Sequence, residues 1–134
     1  MRIATREFAD TTVVGVVGRV DHRSASQLEQ VLAEVMKQAG VGQCAVVLDF
    51  SGVEYISSVG LRVLMVAAKQ MRTQAAPFAI ASLQLVVAEI FAISRFDRVL
   101  VVHPSVAAAL AQCSAAALAA WQAAGPLAAP PSTP

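Results

Sequence analysis

The sequence predicts a small α/β domain with a mixed sheet of about five strands and helices mainly on one face of the sheet. Three observations support this class. Short apolar runs without a polar interruption recur along the chain, as expected of strands that are covered on both faces. Segments with apolar residues at intervals of three and four alternate with these runs, which is typical of amphipathic helices. A length of 134 residues suits one domain with a substantial core.

The chain begins with two predicted strands. Residues 2–10 alternate weakly between apolar and polar side chains, which suits an edge strand. Residues 11–17 are β-branched and apolar, which suits a more central strand, and Asp10 with Thr11 is expected to form the turn between the two.

A helix follows these strands. Ser24 and Gln27 match the spacing of a capping box, and the helix is predicted to begin there and to end near Gly40. Its apolar stripe consists of Leu28, Val31, Leu32, Val35 and Met36, and this stripe is expected to pack on the sheet.

The central stretch contains a strand, a loop and a second helix. Residues 44–48 predict a short buried strand that ends at Asp49, and residues 50–52 predict a polar turn. Ser57 and Ser58 stand just before the helical pattern. The predicted buried stripe of this helix consists of Leu61, Leu64, Met65, Ala68 and Met71.

The serine pair has two interpretations. The first N–H groups of a helix lack internal partners and carry the positive end of the helix dipole. A serine at this point can cap the helix with its hydroxyl, or it can accept a phosphoryl group that the helix end then stabilises.

The outer face of the second helix is a candidate contact surface. Ser58, Arg62, Val66 and Lys69 follow one another at helical spacing, and Val63 lies beside them. A basic stripe with valines next to it suits a partner, whereas the alternative is an ordinary solvated face with scattered apolar residues.

The remaining pattern predicts a strand at 78–83, a short helix at 85–94 and a final strand at 98–102. No Asp, Glu, Lys or Arg occurs from Val99 onward. A last helix is predicted to begin at Ser105 and to cover the sheet. A membrane span is not expected there, because alanine supplies too little transfer energy.

Residues 1–114 are therefore expected to form the folded domain, and residues 115–134 an alanine- and proline-rich extension. The extension is predicted to be partly helical and then extended or disordered, and its helical part to dock on a partner or on a second copy in a homodimer.

Composition excludes several function classes. A formal net charge of +1 provides no basic field for nucleic acid. Cys44 and Cys113 lack metal-ligand spacing and are read as reduced thiols, with a single disulfide as the alternative. His22 and His103 have no ligand or catalytic partner at a diagnostic spacing. We therefore expect no enzyme activity, no metal and no cofactor, and the absence of an apolar N-terminal signal predicts a cytoplasmic protein.

The segment DFSGVEYISSVGLRVL resembles the signature of the STAS domain, in particular the anti-sigma factor antagonists. The segments GRVDHRSASQLEQ and FAISRFDRVLVVHPSVAAAL are similar to two further blocks of that family. Ser57 replaces the family's acidic residue and Val59 replaces a serine. The positions that match the signature are Asp49, Ser51, Val53, Ile56, Ser58, Gly60 and Leu64.

This resemblance implies a phosphorylation-switched binding module with a mixed sheet. The phosphorylated serine is Ser58, with Ser57 as the alternative. The implied partner is an anti-sigma factor that is also a serine kinase of the histidine-kinase-like ATPase fold, and a PP2C-type phosphatase reverses the modification. The expected partner-binding residues are Asp21, His22, Ser57, Ser58, Val59, Gly60, Arg62, Val63, Val66 and Lys69.

A second function remains open at this point. The same domain without a phosphoswitch would serve as a scaffold subunit of a larger complex in stress signalling or lipid transport. The valines beside the basic stripe and the uncharged C-terminal helix are the features that suggest it.

Overall fold

The computed structural model of the chain describes residues 1–42 and 45–124. They form five strands, five α-helices and one 3-10 turn. In chain order these are β1 Arg2–Phe8, β2 Thr11–Val20, α1 His22–Gly42, β3 Ala45–Ile56, α2 Ser58–Thr73, β4 Phe78–Ala81, α3 Leu85–Ile93, the 3-10 turn Phe96–Arg98, β5 Val101–His103, α4 Val106–Cys113 and α5 Ala115–Ala124.

The five strands form one sheet in the order β1-β2-β3-β4-β5. Strand β1 is antiparallel to β2, and the remaining neighbours are parallel. The mixed sheet and its alternation with helices confirm the predicted fold class. The hairpin turn falls on Ala9 and Asp10 rather than on Asp10 and Thr11, because Ala9 takes a left-handed conformation with φ 55°.

Helices α1, α2 and α3 cover one face of the sheet, and this side contains the larger core. The core is continuous from the middle strands to all three helices, so the helices are held in place by burial rather than by local propensity. Its fully buried side chains include Val14, Val16, Leu28, Leu48, Phe50, Leu64, Ile80 and Phe91.

Helices α4 and α5 cover the second face. Leu110 on α4 and Ala117 on α5 are fully buried there, in a smaller cluster with Phe8, Val13, Val47, Ala79 and Ala81 from the strands. Helix α5 is tied to the hairpin because the Ser114 hydroxyl donates a hydrogen bond of 2.6 Å to Asp10 Oδ1.

The division of the chain at residue 114 stays a prediction, and residues 125–134 lie outside the described residues. No helix in the described part of the chain is both long and apolar enough to cross a membrane.

Strand β3 is longer than predicted. It continues to Ile56 through residues 50–52, where the sequence suggested a turn. Phe50 points into the core and is fully buried, and β2 pairs with β3 along most of its length with two register shifts. The Ser51 N–H donates to Asp49 Oδ1 at 3.0 Å, so the Asp49 carboxylate stabilises an irregular strand rather than a turn.

The C-terminal part differs from the sequence prediction in two details. The predicted last strand begins later, at Val101, because the 3-10 turn follows Arg95 in a left-handed conformation with φ 61°. The predicted strand at 78–83 is shorter and ends at Ala81.

We predict that Ser114→Ala loosens α5. Besides its bond to Asp10, the Ser114 hydroxyl accepts from the Ala117 N–H at 3.2 Å and so caps this helix. Loss of a serine cap costs about 1 kcal/mol of stability. The change should lower the urea midpoint and shift the emission of Trp121, the only tryptophan in the sequence, to longer wavelength.

Ser26→Ala provides the control, since Ser26 is exposed on α1. Equal midpoints and equal emission for both variants would show that Ser114 does not hold α5 against the sheet.

Candidate functional site

The candidate site lies where β2 and β3 end side by side. Val20 is paired with Ile56 in the parallel register, and the Ser57 N–H donates to the Val20 carbonyl at 2.8 Å. Because each strand is followed at once by a helix, the first residues of α1 and α2 meet at this edge of the sheet. We call this edge, with residues 21–22 and 57–60, the rim.

Ser57 is the cap of α2. Its backbone is extended, with φ −84° and ψ 170°, and its hydroxyl accepts from the Gly60 N–H at 3.2 Å. Its carbonyl accepts from the Leu61 N–H at 2.9 Å. The residue is only 7% exposed, so its hydroxyl has a structural role and is closed to a large partner.

Ser58 is the first residue of α2 and is exposed. Within residues 1–42 and 45–124, no group hydrogen-bonds its hydroxyl, and none accepts from the N–H groups of Ser58 and Val59. Two free N–H groups at the positive end of a helix suit an anion placed beside them. The structure thus separates the two serines into a buried cap and an exposed hydroxyl.

Gly60 allows α2 to start close to the sheet. A Cβ at this position would lie 2.7 Å from Val20 Cγ1 and 2.8 Å from Ile56 Cγ1, both of which belong to buried side chains. Any other residue would push the helix start away from the strand ends. Gly60 is therefore buried structure at the rim, and partners do not reach its side of the helix.

The predicted contact stripe is only partly on the surface. Arg62 and Lys69 are exposed and Val66 is 53% exposed, in line with Ser58. Val63, which we expected beside them, is 8% exposed and belongs to the core. The buried stripe of α2 includes Val63 and Ala67, whereas Met65 and Ala68, predicted as core, are half-buried, so the helix is rotated relative to the prediction.

Asp21 caps α1. Its Oδ1 accepts from the N–H groups of Arg23 at 3.0 Å and Ser24 at 3.2 Å, and the Asp21 N–H donates to Ser24 Oγ at 2.9 Å. The predicted capping box of Ser24 and Gln27 is therefore wrong. The reciprocal hydrogen bonds form between Asp21 and Ser24, one turn earlier in the chain. His22 is the first residue of α1 and is exposed.

The hydrogen bond from the Ser24 N–H is the main cause that holds the pKa of Asp21 below its ordinary value of 3.8. A lowered folded-state pKa means that the ionised cap stabilises the fold above this value and that its contribution is lost as the pH falls further.

Sequence reasoning missed one feature of the rim. The guanidinium of Arg19 lies 4.6 Å from the ring centroid of Tyr55, and the two residues are register partners on β2 and β3. This stacking holds a positive charge beside the ends of both strands. The sequence contains no signal for it, because the pairing depends on the two register shifts earlier in the same strands.

The described residues contain no group of three or more His, Cys, Asp or Glu that could hold a metal ion. Cys113 is a free, half-buried thiol whose pKa is raised, first by burial and then by the nearby carboxylate of Asp10. Cys44, its partner in the alternative disulfide, lies outside the described residues. The rim therefore provides groups for binding, namely a hydroxyl, free N–H groups and basic side chains.

The two serines should differ in their effect on stability. We expect Ser57→Ala to lower the free energy of unfolding by about 1 kcal/mol, since the Gly60 N–H loses its acceptor in a buried place. Ser58→Ala should change it by less than about 0.5 kcal/mol, because an exposed hydroxyl without a partner is removed.

Urea unfolding followed by circular dichroism measures both variants against the unaltered chain. A larger loss for Ser58→Ala than for Ser57→Ala would contradict the assignment of Ser57 as the cap.

Comparisons with known proteins agree with this geometry. The family model described as the STAS domain matches residues 2–109. The chain is 35% identical over 96 residues to BtrV of Bordetella bronchiseptica, which is designated an anti-sigma factor antagonist, and the match covers 72% of this chain and 80% of that protein.

Two solved structures have the same fold. An anti-sigma factor antagonist from Mycobacterium paratuberculosis superposes with a TM-score of 0.73 at 23% identity, over 83% of this chain and 92% of that one. The Bacillus cell fate determinant SpoIIAA in its phosphorylated form superposes with a TM-score of 0.61 at 12% identity, over 83% of this chain and 98% of that one.

Proposed function

The chain belongs to the STAS domain family, and from this premise we propose that it is an anti-sigma factor antagonist whose binding is switched by phosphorylation of Ser58. Anti-sigma factor antagonists of this family are regulatory binding proteins rather than enzymes. The unmodified chain binds an anti-sigma factor, which is also the serine kinase, of the histidine-kinase-like ATPase fold. A PP2C-type phosphatase restores the unmodified form.

The observation that carries this proposal is the separation of roles between the two serines. Ser57 holds the helix start and is buried, whereas Ser58 is exposed and hydrogen-bonds no described residue. A kinase therefore reaches one hydroxyl without disturbing the cap. This arrangement supports Ser58 over Ser57 as the acceptor.

The domain is able to tolerate a phosphate at this position. Phosphorylation adds nearly two negative charges beside the free N–H groups of Ser58 and Val59. Arg62 lies four residues later on the same exposed face, where its guanidinium reaches toward the phosphate. The related fold of SpoIIAA exists in a phosphorylated form, which supports a modification that leaves the domain folded.

The partner, in contrast, responds strongly to the phosphate. The exposed face next to Ser58 carries Arg62 and Lys69 with Val66 between them, so a complementary partner presents acidic and apolar groups. A phosphate facing acidic groups is repelled, and burying it unpaired costs several kcal/mol. His22 and the half-buried Val59 complete the proposed contact surface on the rim.

We expect Ser58→Asp to weaken binding of the cognate anti-sigma factor by about tenfold or more, which corresponds to 1.4 kcal/mol or more. The physical reason is a fixed negative charge at the proposed interface. Ser58→Ala should bind as the unmodified chain does. Surface plasmon resonance with the immobilised anti-sigma factor measures both affinities.

Gln112→Glu is the charge-matched control, because it adds one negative charge to an exposed position of α4 on the other face of the sheet. Equal affinities for Ser58→Asp and Ser58→Ala would exclude the switch.

Phosphorylation itself should follow the exposed hydroxyl. After incubation with the cognate kinase and Mg·ATP, intact-mass analysis should show one added phosphate on the unaltered chain and on Ser57→Ala, and none on Ser58→Ala. A phosphate on Ser58→Ala but not on Ser57→Ala would assign the modification to Ser57. No phosphate on the unaltered chain would support the scaffold function instead.

A further inference from the structure

Helix α3 presents an apolar surface to solvent. Leu85 is 76% exposed, Val86 is 53% exposed and Ile93 is 83% exposed. The helix does not need these side chains for its own packing, because Val87 and Phe91 on its inner side are fully buried in the larger core. Three large apolar residues on the outside of a nine-residue helix suit an interface rather than a free surface.

The exposed residues of α3 surround one carboxylate. Leu85 and Ile93 lie four residues before and after Glu89, and Val86 and Ala92 lie three residues before and after it. Residues at these intervals are the neighbours of Glu89 on the helix surface. All four are apolar and exposed, and Glu89 forms no ion pair with a described residue. We call these five residues the α3 face.

A partner that covers the α3 face has to supply a positive charge. Burial of the Glu89 carboxylate in an apolar contact without a cation costs free energy. The partner therefore needs an apolar surface with a basic side chain that reaches the middle of the contact.

Arg95 of this same chain has the properties of such a group. It follows the end of α3 by two residues, it is exposed, and it forms no ion pair with a described residue. Its backbone has φ 61°, in the left-handed region that favours glycine. Because an arginine in this conformation costs the fold free energy, the presence of a side chain here points to a role outside the folding of one chain.

The α3 helix is held in a fixed position on the sheet. The Gln84 Nε2 group, just before the helix, donates to the Ser51 carbonyl at 2.7 Å, and Phe91 anchors the last turn in the core. A surface that is already fixed loses little conformational freedom when it binds, which favours association.

We propose that the α3 face binds the α3 face of a second copy of this chain, with the two helices antiparallel about a twofold axis. Ala92 is midway between Glu89 and Arg95, so an axis near Ala92 brings Glu89 of each copy opposite Arg95 of the other. Both carboxylates are then paired, and the small side chain of Ala92 lets the helices approach closely. This interface is on α3 rather than on the C-terminal helix α5, which packs on its own sheet.

Sedimentation velocity of the full chain from about 1 µM to about 1 mM tests the proposal, because a contact of one helix from each copy is small and weak. We expect a shift from monomer to dimer as the concentration rises. Ile93→Ser should weaken dimerisation at least about tenfold, since it removes an apolar contact beside the axis. A chain that remains monomeric over this range would overturn the proposal and leave the α3 face to a different protein.

A charge exchange tests the predicted pairing. Glu89→Arg and Arg95→Glu should each weaken dimerisation at least about tenfold, since each places like charges opposite one another. The double variant exchanges the two charges and should dimerise within about threefold of the unaltered chain. Glu29→Arg makes the same change at an exposed position of α1 and should have no effect. A double variant as weak as the single ones, or an equal loss in Glu29→Arg, would refute the pairing.

Arg95→Gly separates an interface role from a structural one. Glycine adopts this backbone conformation freely, so the variant should raise the urea midpoint at concentrations where the chain is monomeric. It should also weaken dimerisation at least about fivefold, because Glu89 of the second copy loses its cation. Unchanged dimerisation of Arg95→Gly would contradict the assigned role of this side chain.

Discussion

The hydrogen bond from the Ser57 N–H to the Val20 carbonyl, at 2.8 Å, fixes the relation between the sheet and the rim. This hydrogen bond extends the parallel pairing of β2 and β3 by one residue, and it therefore determines where β3 ends and α2 begins. Gly60 then lets the helix start in contact with Val20 and Ile56.

Close packing at the rim would let the proposed phosphorylation act without unfolding the domain. Ser57 and Gly60, which position the start of α2, are buried. Ser58 faces solvent, and its hydroxyl makes no hydrogen bond within the described residues. Folding and the proposed binding therefore depend on different side chains, although these are neighbours in the sequence. Under the proposed function, a change of charge at Ser58 would alter the affinity for the partner much more than it alters stability.

Local patterns in the sequence are sufficient to predict the helices, the strands and the place of the serine pair, because helix periodicity and the cap preference of serine operate over a few residues. The predictions were wrong where the structure depends on pairing between strands that are distant in the sequence. The long β3 depends on its pairing with β2, and that pairing places Phe50 in the core rather than in a turn.

The burial of Val63 and the capping role of Asp21 have a similar origin. The rotation of α2 is determined by its contact with the sheet, which brings Val63 into the core. The start of α1 is determined by the end of β2, since the Ser24 hydroxyl donates to the Arg19 carbonyl at 2.8 Å.

A formal net charge of +1 does not describe the charges at the rim. Two helix N-termini meet at the rim, Arg19 and Arg62 lie next to it in the chain, and the carboxylate of Asp21 accepts hydrogen bonds from N–H groups of α1. These groups at the rim would stabilise the proposed phosphate on Ser58. With a Debye length of about 8 Å at physiological ionic strength, charges far from the rim are screened, so the groups at this edge of the sheet decide how a phosphate on Ser58 is tolerated.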